Sequence, residues 1–267
     1  KRVVYRVFLW ISLGVLTKGP IAILVPLVSG FVFFSLQKDL KLFLRAVFDP
    51  IGWVVLLLLV TPWYTAILLD QGQAFIDGFL LKHNIGRFAE TLEGHGGSIF
   101  YYVPIIFLLL LPFSGLFVPL FSRFSLKTMS SLDQYCYVTF GFVFIFFSLS
   151  STQLPHYLLY GFTPLIILLA KQQRSFESKF IILLPAFFAC GLFLCLPEIA
   201  SIASEQVTAK DQQMMLASLK GEIDAIYWFS LATLFCALAW VSSRWVQIEQ
   251  CFYLAAIAQS IFLVLVF

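Results

Sequence analysis

The stretch DPIGWVVLLLLVTPWYTAILL, Asp49–Leu69, decides the fold class of this chain. It is an uninterrupted apolar run, and roughly 20 apolar residues in a helix cross the ~30 Å hydrocarbon core of a bilayer. Asp49 before Pro50 predicts the helix start, because aspartate caps free N–H groups and proline has no N–H to leave unpaired. Pro62 predicts a kink beside Trp63, an aromatic residue of the kind found at membrane interfaces.

Similar runs recur along the chain, and 61% of its 267 residues are hydrophobic, against roughly 45–50% in soluble domains. Only 12% are charged, and a net charge of +3 is too small to indicate nucleic-acid binding. The other long runs are Val7–Leu16, Pro20–Leu36, Ile99–Phe121, Tyr135–Leu149, Leu154–Ala170, Phe180–Leu196, Ala225–Val241 and Cys251–Phe267. We predict an all-α, polytopic integral membrane protein with about nine transmembrane helices, forming a single membrane domain over residues 1–267.

The positions of the basic residues predict the orientation of these helices. With a cytoplasmic N terminus, twelve of the 17 Lys and Arg residues lie on the cytoplasmic side, as the positive-inside rule requires. These are Lys1, Arg2, Arg6, Lys38, Lys41, Arg45, Arg123, Lys127, Lys171, Arg174, Lys179 and Arg244. The other side keeps Lys18, Lys82, Arg87, Lys210 and Lys220, so we expect it to face the periplasm or a lumen.

On the outer side, the stretch LKHNIGRFAETLEGHGG, Leu81–Gly97, concentrates charge in an otherwise apolar chain. An i, i+4 series runs into this stretch: it consists of Phe75 and Phe79, which precede the stretch, and His83 and Arg87, which lie within it. The spacing predicts an interfacial helix over about residues 73–90. The phenylalanines would face the lipid boundary. Two interpretations of Arg87 are then open. It either snorkels or pairs with a nearby carboxylate, or its guanidinium holds the phosphate of an anionic lipid head.

Three other outer segments suggest a shared cavity. LTKGP, Leu16–Pro20, predicts a tight turn that leaves Lys18 near the membrane, where an unpaired lysine is costly unless it faces water, phosphate or a cavity. SLSSTQLPHYLLY, Ser148–Tyr160, interrupts two apolar runs at the same depth. GHGG, Gly94–Gly97, predicts a turn before the next helix. A divalent metal held by two histidines and a carboxylate is a further option, and the side chains in question are His83, His95, Glu90 and Glu93.

Five blocks in order resemble the bacterial branch of the protein O-mannosyltransferase superfamily, which includes the aminoarabinose–lipid A transferases. They read GVLTKGPIAILVPL, PWYTAILL, KHNIGRF, FYYVPIIFLLLLPFSGLF and FSLSSTQLPHYLLYGFTPLIILLA, and they cover roughly Leu13–Ala170. The resemblance implies a GT-C fold, an outer-face active site and a polyprenyl-phosphate-linked sugar as donor. The sequence departs from the family pattern at three positions. Gln153 stands where relatives often carry lysine, Phe113 stands where they often carry tryptophan, and Pro164 comes later than the proline expected near Tyr160.

The resemblance also implies roles for individual residues. Arg87 would contact the donor phosphate with Lys18 beside it, His83 is a further candidate, and His156 and Tyr157 would line the cavity. The family's catalytic aspartate lies in a first outer loop, which we expect upstream of Lys1, so the chain is expected to be a fragment of a longer protein and inactive alone. The carboxylates that could substitute for this base are Asp70, Asp77, Glu90 and Glu93.

The expected function is therefore that of a multi-pass transferase of the bacterial inner membrane, surrounded by membrane lipids and acting at its periplasmic face. It would move a sugar from polyprenyl phosphate to lipid A or to a protein in one inverting displacement. Two alternatives remain open. Interrupted helices around an outer cavity also occur in secondary transporters, and a non-catalytic polytopic membrane protein would share the same composition.

Overall fold

A computed structural model gives the fold and describes residues 1–86, 97–122, 129–172, 178–207, 210–221, 223–243 and 246–266. Within those ranges all regular secondary structure is helical. The α-helices are α1 (Arg2–Lys18), α2 (Ile21–Leu36), α3 (Leu40–Val47), α4 (Pro50–Gln71), α5 (Tyr102–Leu109), α6 (Phe117–Ser122), α7 (Ser131–Ser148), α8 (Phe162–Gln172), α9 (Lys179–Gln206), α10 (Lys210–Gly221), α11 (Ala225–Ser242) and α12 (Ile248–Val266). A helical turn (Gln73–Phe75), a π-helix (Ile76–Gly86) and two 3₁₀ segments (Phe113–Leu116, Pro155–Gly161) connect them.

Each of the apolar runs of the sequence contains helix, and the predicted start of α4 is confirmed. Asp49 Oδ1 accepts a hydrogen bond from Gly52 N at 3.0 Å, and Pro50 is the first helical residue. Among the described residues, the helices long and apolar enough to cross a membrane are Pro50–Gln71, Lys179–Glu205 and Ala225–Ser242. The larger number of spans stays a prediction.

The predicted run Ile99–Phe121 is not one straight helix. Its two helical parts, Tyr102–Leu109 and Phe113–Ser122, are bent by 114°. The break falls at Pro112, which cannot donate the helical hydrogen bond and whose ring clashes with the carbonyl one turn earlier. In composition the run is continuous, so only the proline indicates where the helix ends.

Large apolar side chains cover the outside of the helices. Leu58 is 70% exposed, Phe229 75% and Val264 82%. Soluble proteins rarely leave wide apolar surfaces facing water, whereas lipid tails solvate such side chains. Together with the three described helices that are long and apolar enough to cross a membrane, these surfaces show a multi-pass membrane protein.

The chain divides into two compact units, residues 1–105 with 125–168, and residues 106–124 with 169–267. We refer to them as unit 1 and unit 2. In unit 1, α1 and α4 run parallel: the Phe8 ring packs on Gly52 near their starts, and Tyr64 OH donates to Val15 O at 3.1 Å near their ends. An ideal Cβ on Gly52 would meet the Phe8 ring at 2.4 Å, so only glycine permits this approach.

Helices α2 and α7 of unit 1 run antiparallel. Gln37, which caps α2, donates through its side-chain amide to Gln134 at the start of α7. Phe33 and Tyr135 make an edge-on ring contact at 5.5 Å beside that bond. The opposite ends of both helices, the α1–α2 turn and the segment after Ser148, therefore lie together at the other end of unit 1.

In unit 2, α9, α11 and α12 pack around a buried core that includes Tyr227, Leu238 and Phe262. Gln259 lies in this core, and its amide donates to Ala186 O at 3.0 Å. Lys179 Nζ donates to Ser243 O, the carbonyl of the residue that caps α11, at 2.6 Å. It also donates to Val246 O in the segment that follows.

Candidate functional site

Lys18 is the last residue of α1 and is exposed at the end of unit 1 that also holds the segment after Ser148. The predicted turn is confirmed: α1 ends at Lys18 and α2 begins at Ile21. Gly19 between them has φ of 73°, a left-handed conformation that favours glycine. A cation in the last turn of a helix is stabilised by the helix dipole and by free carbonyls. The turn therefore leaves the Lys18 side chain exposed at the end of α1.

The predicted interfacial helix begins at Gln73, as expected, but is π-helical from Ile76 to Gly86. Phe75 and Phe79 do share one face, with their rings stacked at 5.2 Å. They pack against the Tyr64 ring at 5.9 and 6.0 Å, so this ridge is anchored on α4 and does not simply face lipid.

His83 lies in the π-helix, but its side chain, and the whole of Arg87, Glu90, Glu93 and His95, lie outside the described residues. The structure therefore leaves the predicted phosphate contact and metal set untested. Among the side chains it does describe, no group of three or more His, Cys, Asp or Glu could hold a metal ion. Asp70 is exposed at the end of α4, and Asp77 Oδ1 accepts a hydrogen bond from Gln73 Nε2 at 2.9 Å.

Polar side chains are buried in the segment that follows α7. Ser150 Oγ donates to Thr152 O at 3.0 Å, and Gln153 Nε2 donates to Ser148 O at 3.1 Å. Gln153 is 4% exposed, and its Oε1 has no hydrogen-bond partner among the described residues. An ideal Cβ on Gly97 would lie 2.1 Å from that oxygen, so the glycine that ends GHGG leaves room for the Gln153 side chain in this position.

Tyr102 ties this segment to the start of α5. The sequence marks it only as an aromatic residue at a helix start, but the side chain is fully buried. Its hydroxyl donates to Leu154 O at 3.0 Å and accepts from Leu154 N at 3.1 Å. One phenol thus satisfies both backbone groups of the residue before Pro155.

We predict that Tyr102→Phe destabilises this end of unit 1. The two partly buried backbone groups of Leu154 would lose their partner, at a cost of up to about 1–3 kcal/mol each when no water replaces it. The measurement is the thermal unfolding midpoint of the full-length natural protein in detergent. Tyr101→Phe is the matched control, because Tyr101 contacts Tyr102 only through its ring. Equal midpoints for the two variants would contradict the bond's importance.

His156 and Tyr157 stand in the 3₁₀ segment that leads into α8. Tyr157 is 8% exposed and packs on Phe147 of α7 at 4.8 Å, while His156 is exposed and meets the Tyr157 ring edge-on at 4.9 Å. The segment sits close to α7 because Gly161 lacks a Cβ, which would lie 3.2 Å from Phe140 and Val143. Tyr157 is held in place, and His156 is the accessible member of the pair.

The structure thus brings Lys18, Tyr102, Gln153 and His156 to one end of unit 1, from separate stretches of sequence. Sequence reasoning missed the Tyr102–Leu154 bond and the burial of Gln153. The signal available for the second was the polar run SLSSTQ between two apolar runs. Nothing local marks Tyr102, because its partner lies 52 residues away.

Comparison with curated proteins shows which enzymes this chain is similar to. It is 31% identical over 169 residues to the undecaprenyl phosphate-alpha-4-amino-4-deoxy-L-arabinose arabinosyl transferase of Yersinia enterocolitica, which covers 63% of this chain and 30% of that protein. It is 32% identical over 162 residues to the same-named protein of Erwinia tasmaniensis, covering 60% and 28%. The chain spans about 30% of the length of these relatives. No protein-family model matches it.

Two solved structures share the fold. ArnT from Cupriavidus metallidurans bound to undecaprenyl phosphate superposes with a TM-score of 0.69 at 18% identity, over 97% of this chain and 46% of that one. The apo state of the same protein gives a TM-score of 0.66 at 19% identity, over 96% and 45%. The resemblance of the chain to the transferase superfamily is confirmed, and its fold is that of the ArnT-type GT-C enzymes.

Proposed function

We propose that the natural protein containing this chain is a membrane glycosyltransferase that takes a sugar from undecaprenyl phosphate and passes it to lipid A, or alternatively to a protein. The observation that carries this proposal is the sequence similarity to arabinosyl transferases named for an undecaprenyl phosphate donor. The fold similarity to ArnT supports it independently, because it extends over nearly the whole chain.

The reaction we infer is a single displacement at the anomeric carbon. An acceptor oxygen forms a bond to that carbon while the bond to the phosphate oxygen breaks, and the electron pair leaves with undecaprenyl phosphate. A carboxylate takes the acceptor's proton, and the configuration inverts. The family resemblance assigns this base to a first outer loop, with Asp70 and Asp77 as the described alternatives.

The leaving phosphate gains negative charge, so cations placed beside it lower the barrier. We propose that Arg87 and Lys18 supply them, with His83, His156 and Tyr157 in the same cavity and a divalent metal as an alternative to His83. For Lys18 the support is its exposed position at the end of unit 1 that also carries His156.

We propose further that this end of unit 1 faces the periplasm and that the chain crosses the inner membrane about nine times in one membrane domain. The arrangement of unit 1 supports the orientation. Because α1 and α4 are parallel and α2 and α7 antiparallel, Lys1, Lys38, Lys41 and Arg45 share the opposite end, as expected of a cytoplasmic face.

Binding of the donor lipid tests the proposal. The full-length protein in nanodiscs should bind undecaprenyl phosphate, and Lys18→Gln should weaken binding about tenfold, since one charged phosphate contact is lost. Lys38→Gln at the other end of unit 1 is the charge-matched control. Failure of the wild-type protein to bind, or equal weakening by both variants, would count against the site. A transporter would instead move its substrate across the bilayer chemically unchanged.

A further inference from the structure

A short amphipathic helix, α3, lies at the end of unit 1 away from the proposed donor site. Phe43 anchors it: the ring is buried, packs against Phe34 at 5.8 Å, and sits over Gly30, where an ideal Cβ would approach it to 2.8 Å. Trp53 of α4 holds its other end by donating from Nε1 to Val47 O at 2.8 Å. The helix is therefore fixed in position on α2 and α4.

The opposite face of α3 combines cations with apolar groups. Lys41, Leu44, Arg45 and Phe48 follow one another at i, i+3, i+4 and i+7, so they share one side of the helix. All four are exposed, Phe48 to 71%. Lys41 and Arg45 make no hydrogen bond or ion pair with any residue that the structure describes. Helices with this pattern lie in the head-group region with their apolar side chains towards the acyl chains.

This face lines a shallow groove of about 630 Å³ that continues to Asp49 and Pro50 at the start of α4. The two carboxylates nearby do not neutralise it as ion-pair partners. Asp39 Oδ1 accepts from Leu42 N at 3.4 Å, and Asp49 Oδ1 accepts from Gly52 N at 3.0 Å, so each is engaged as a helix cap. Lys41 and Arg45 are left to attract an anion from outside the protein.

We propose that this groove binds one anionic phospholipid of the surrounding membrane. Lys41 and Arg45 would hold the phosphodiester, with Arg45 offering two parallel N–H donors, and Leu44 and Phe48 would contact the first part of an acyl chain. A zwitterionic lipid presents the same phosphate together with a cation that these residues repel. The groove therefore selects by net charge, and it is separate from the donor end of unit 1.

Native mass spectrometry of the full-length protein tests the proposal. The protein is titrated with phosphatidylglycerol and with phosphatidylcholine of identical acyl chains. We expect wild type to prefer phosphatidylglycerol about 10- to 30-fold, from two cations near the surface. K41Q/R45Q should lose that preference while keeping its thermal midpoint, because both side chains are exposed. Phe48→Ser should weaken binding of both lipids and leave the preference unchanged.

Lys38→Gln is the control, since it removes one positive charge from the same end of unit 1, and Lys38 does not line the groove. It should keep most of the preference. Three results would overturn the assignment. They are a wild-type protein without preference for phosphatidylglycerol, a K41Q/R45Q variant that retains this preference, and a Lys38→Gln variant that loses as much of it as K41Q/R45Q does. Binding of undecaprenyl phosphate should be unaffected by K41Q/R45Q, which separates this site from the proposed donor site.

Discussion

Replacing Arg87 by alanine in the full-length protein is expected to lower sugar transfer about 100-fold or more, the usual effect of removing one donor aimed at developing charge. The guanidinium is proposed to meet the phosphate as it becomes a leaving group, so the loss should fall on kcat. The measurement is transfer rate at saturating donor, with the amount of folded protein checked by size-exclusion chromatography.

Two further variants separate this role from a general effect of charge. Arg87→Lys keeps the cation but loses the bidentate geometry, so it should recover only part of the rate. Lys82→Gln removes an exposed cation five residues earlier and should leave the rate near wild type. Wild-type transfer by Arg87→Ala would remove Arg87 from the site.

Gly115→Ala is expected to have a large effect on the folding of unit 2. Gly115 lies in the 3₁₀ segment Phe113–Leu116 of unit 2, and an ideal Cβ there would stand 2.2 Å from the carbonyl oxygen of Ile181 in α9. That carbonyl is free within the helix because Pro185, four residues on, has no N–H to donate. The glycine turn packs directly against it, and a backbone atom cannot move aside as a flexible side chain could.

We expect Gly115→Ala to cost about 1–3 kcal/mol of stability or more, as overpacking in a close contact does. The readouts are the yield of monodisperse protein and the thermal midpoint in detergent. Gly191→Ala is the matched control, since Gly191 lies in the same helix α9 and an ideal Cβ on it meets nothing within 4 Å. If Gly115→Ala has the same thermal midpoint as Gly191→Ala, the turn can move away from α9 and the prediction is wrong.

Much of this fold could be predicted from local chemistry. The apolar runs, the Asp49–Pro50 helix start and the Gly19–Pro20 turn all depend on neighbouring residues, and the structure bears them out. Helix α3 escaped prediction because eight residues within a basic loop are too few to give a strong periodic signal. The π-helix escaped because residues spaced i, i+4, such as Phe75 and Phe79, lie on one face of either an α-helix or a π-helix, so this spacing does not distinguish the two over Ile76–Gly86.

The candidate site was harder to predict because its parts come from distant stretches. Lys18 could be singled out as a lysine placed between two apolar helices, and His156 by its place in the family pattern. The hydrogen bonds that hold the surrounding segments could not be predicted. Tyr102 bonds to Leu154 and Tyr64 bonds to Val15 only in the folded chain, because these residues are far apart in sequence. The cost of a buried unpaired backbone group explains why such bonds exist, but not which residues make them.

We propose that the protein transfers a sugar from undecaprenyl phosphate to lipid A, and the mass of lipid A tests this proposal most directly. The full-length protein is reconstituted with undecaprenyl phosphate-aminoarabinose and lipid A, and the lipid is analysed by mass spectrometry. We predict lipid A carrying added aminoarabinose, formed by the wild-type protein and strongly reduced by Arg87→Ala. Unmodified lipid A from folded, donor-binding protein, under conditions in which the Yersinia enterocolitica relative modifies it, would contradict the claim.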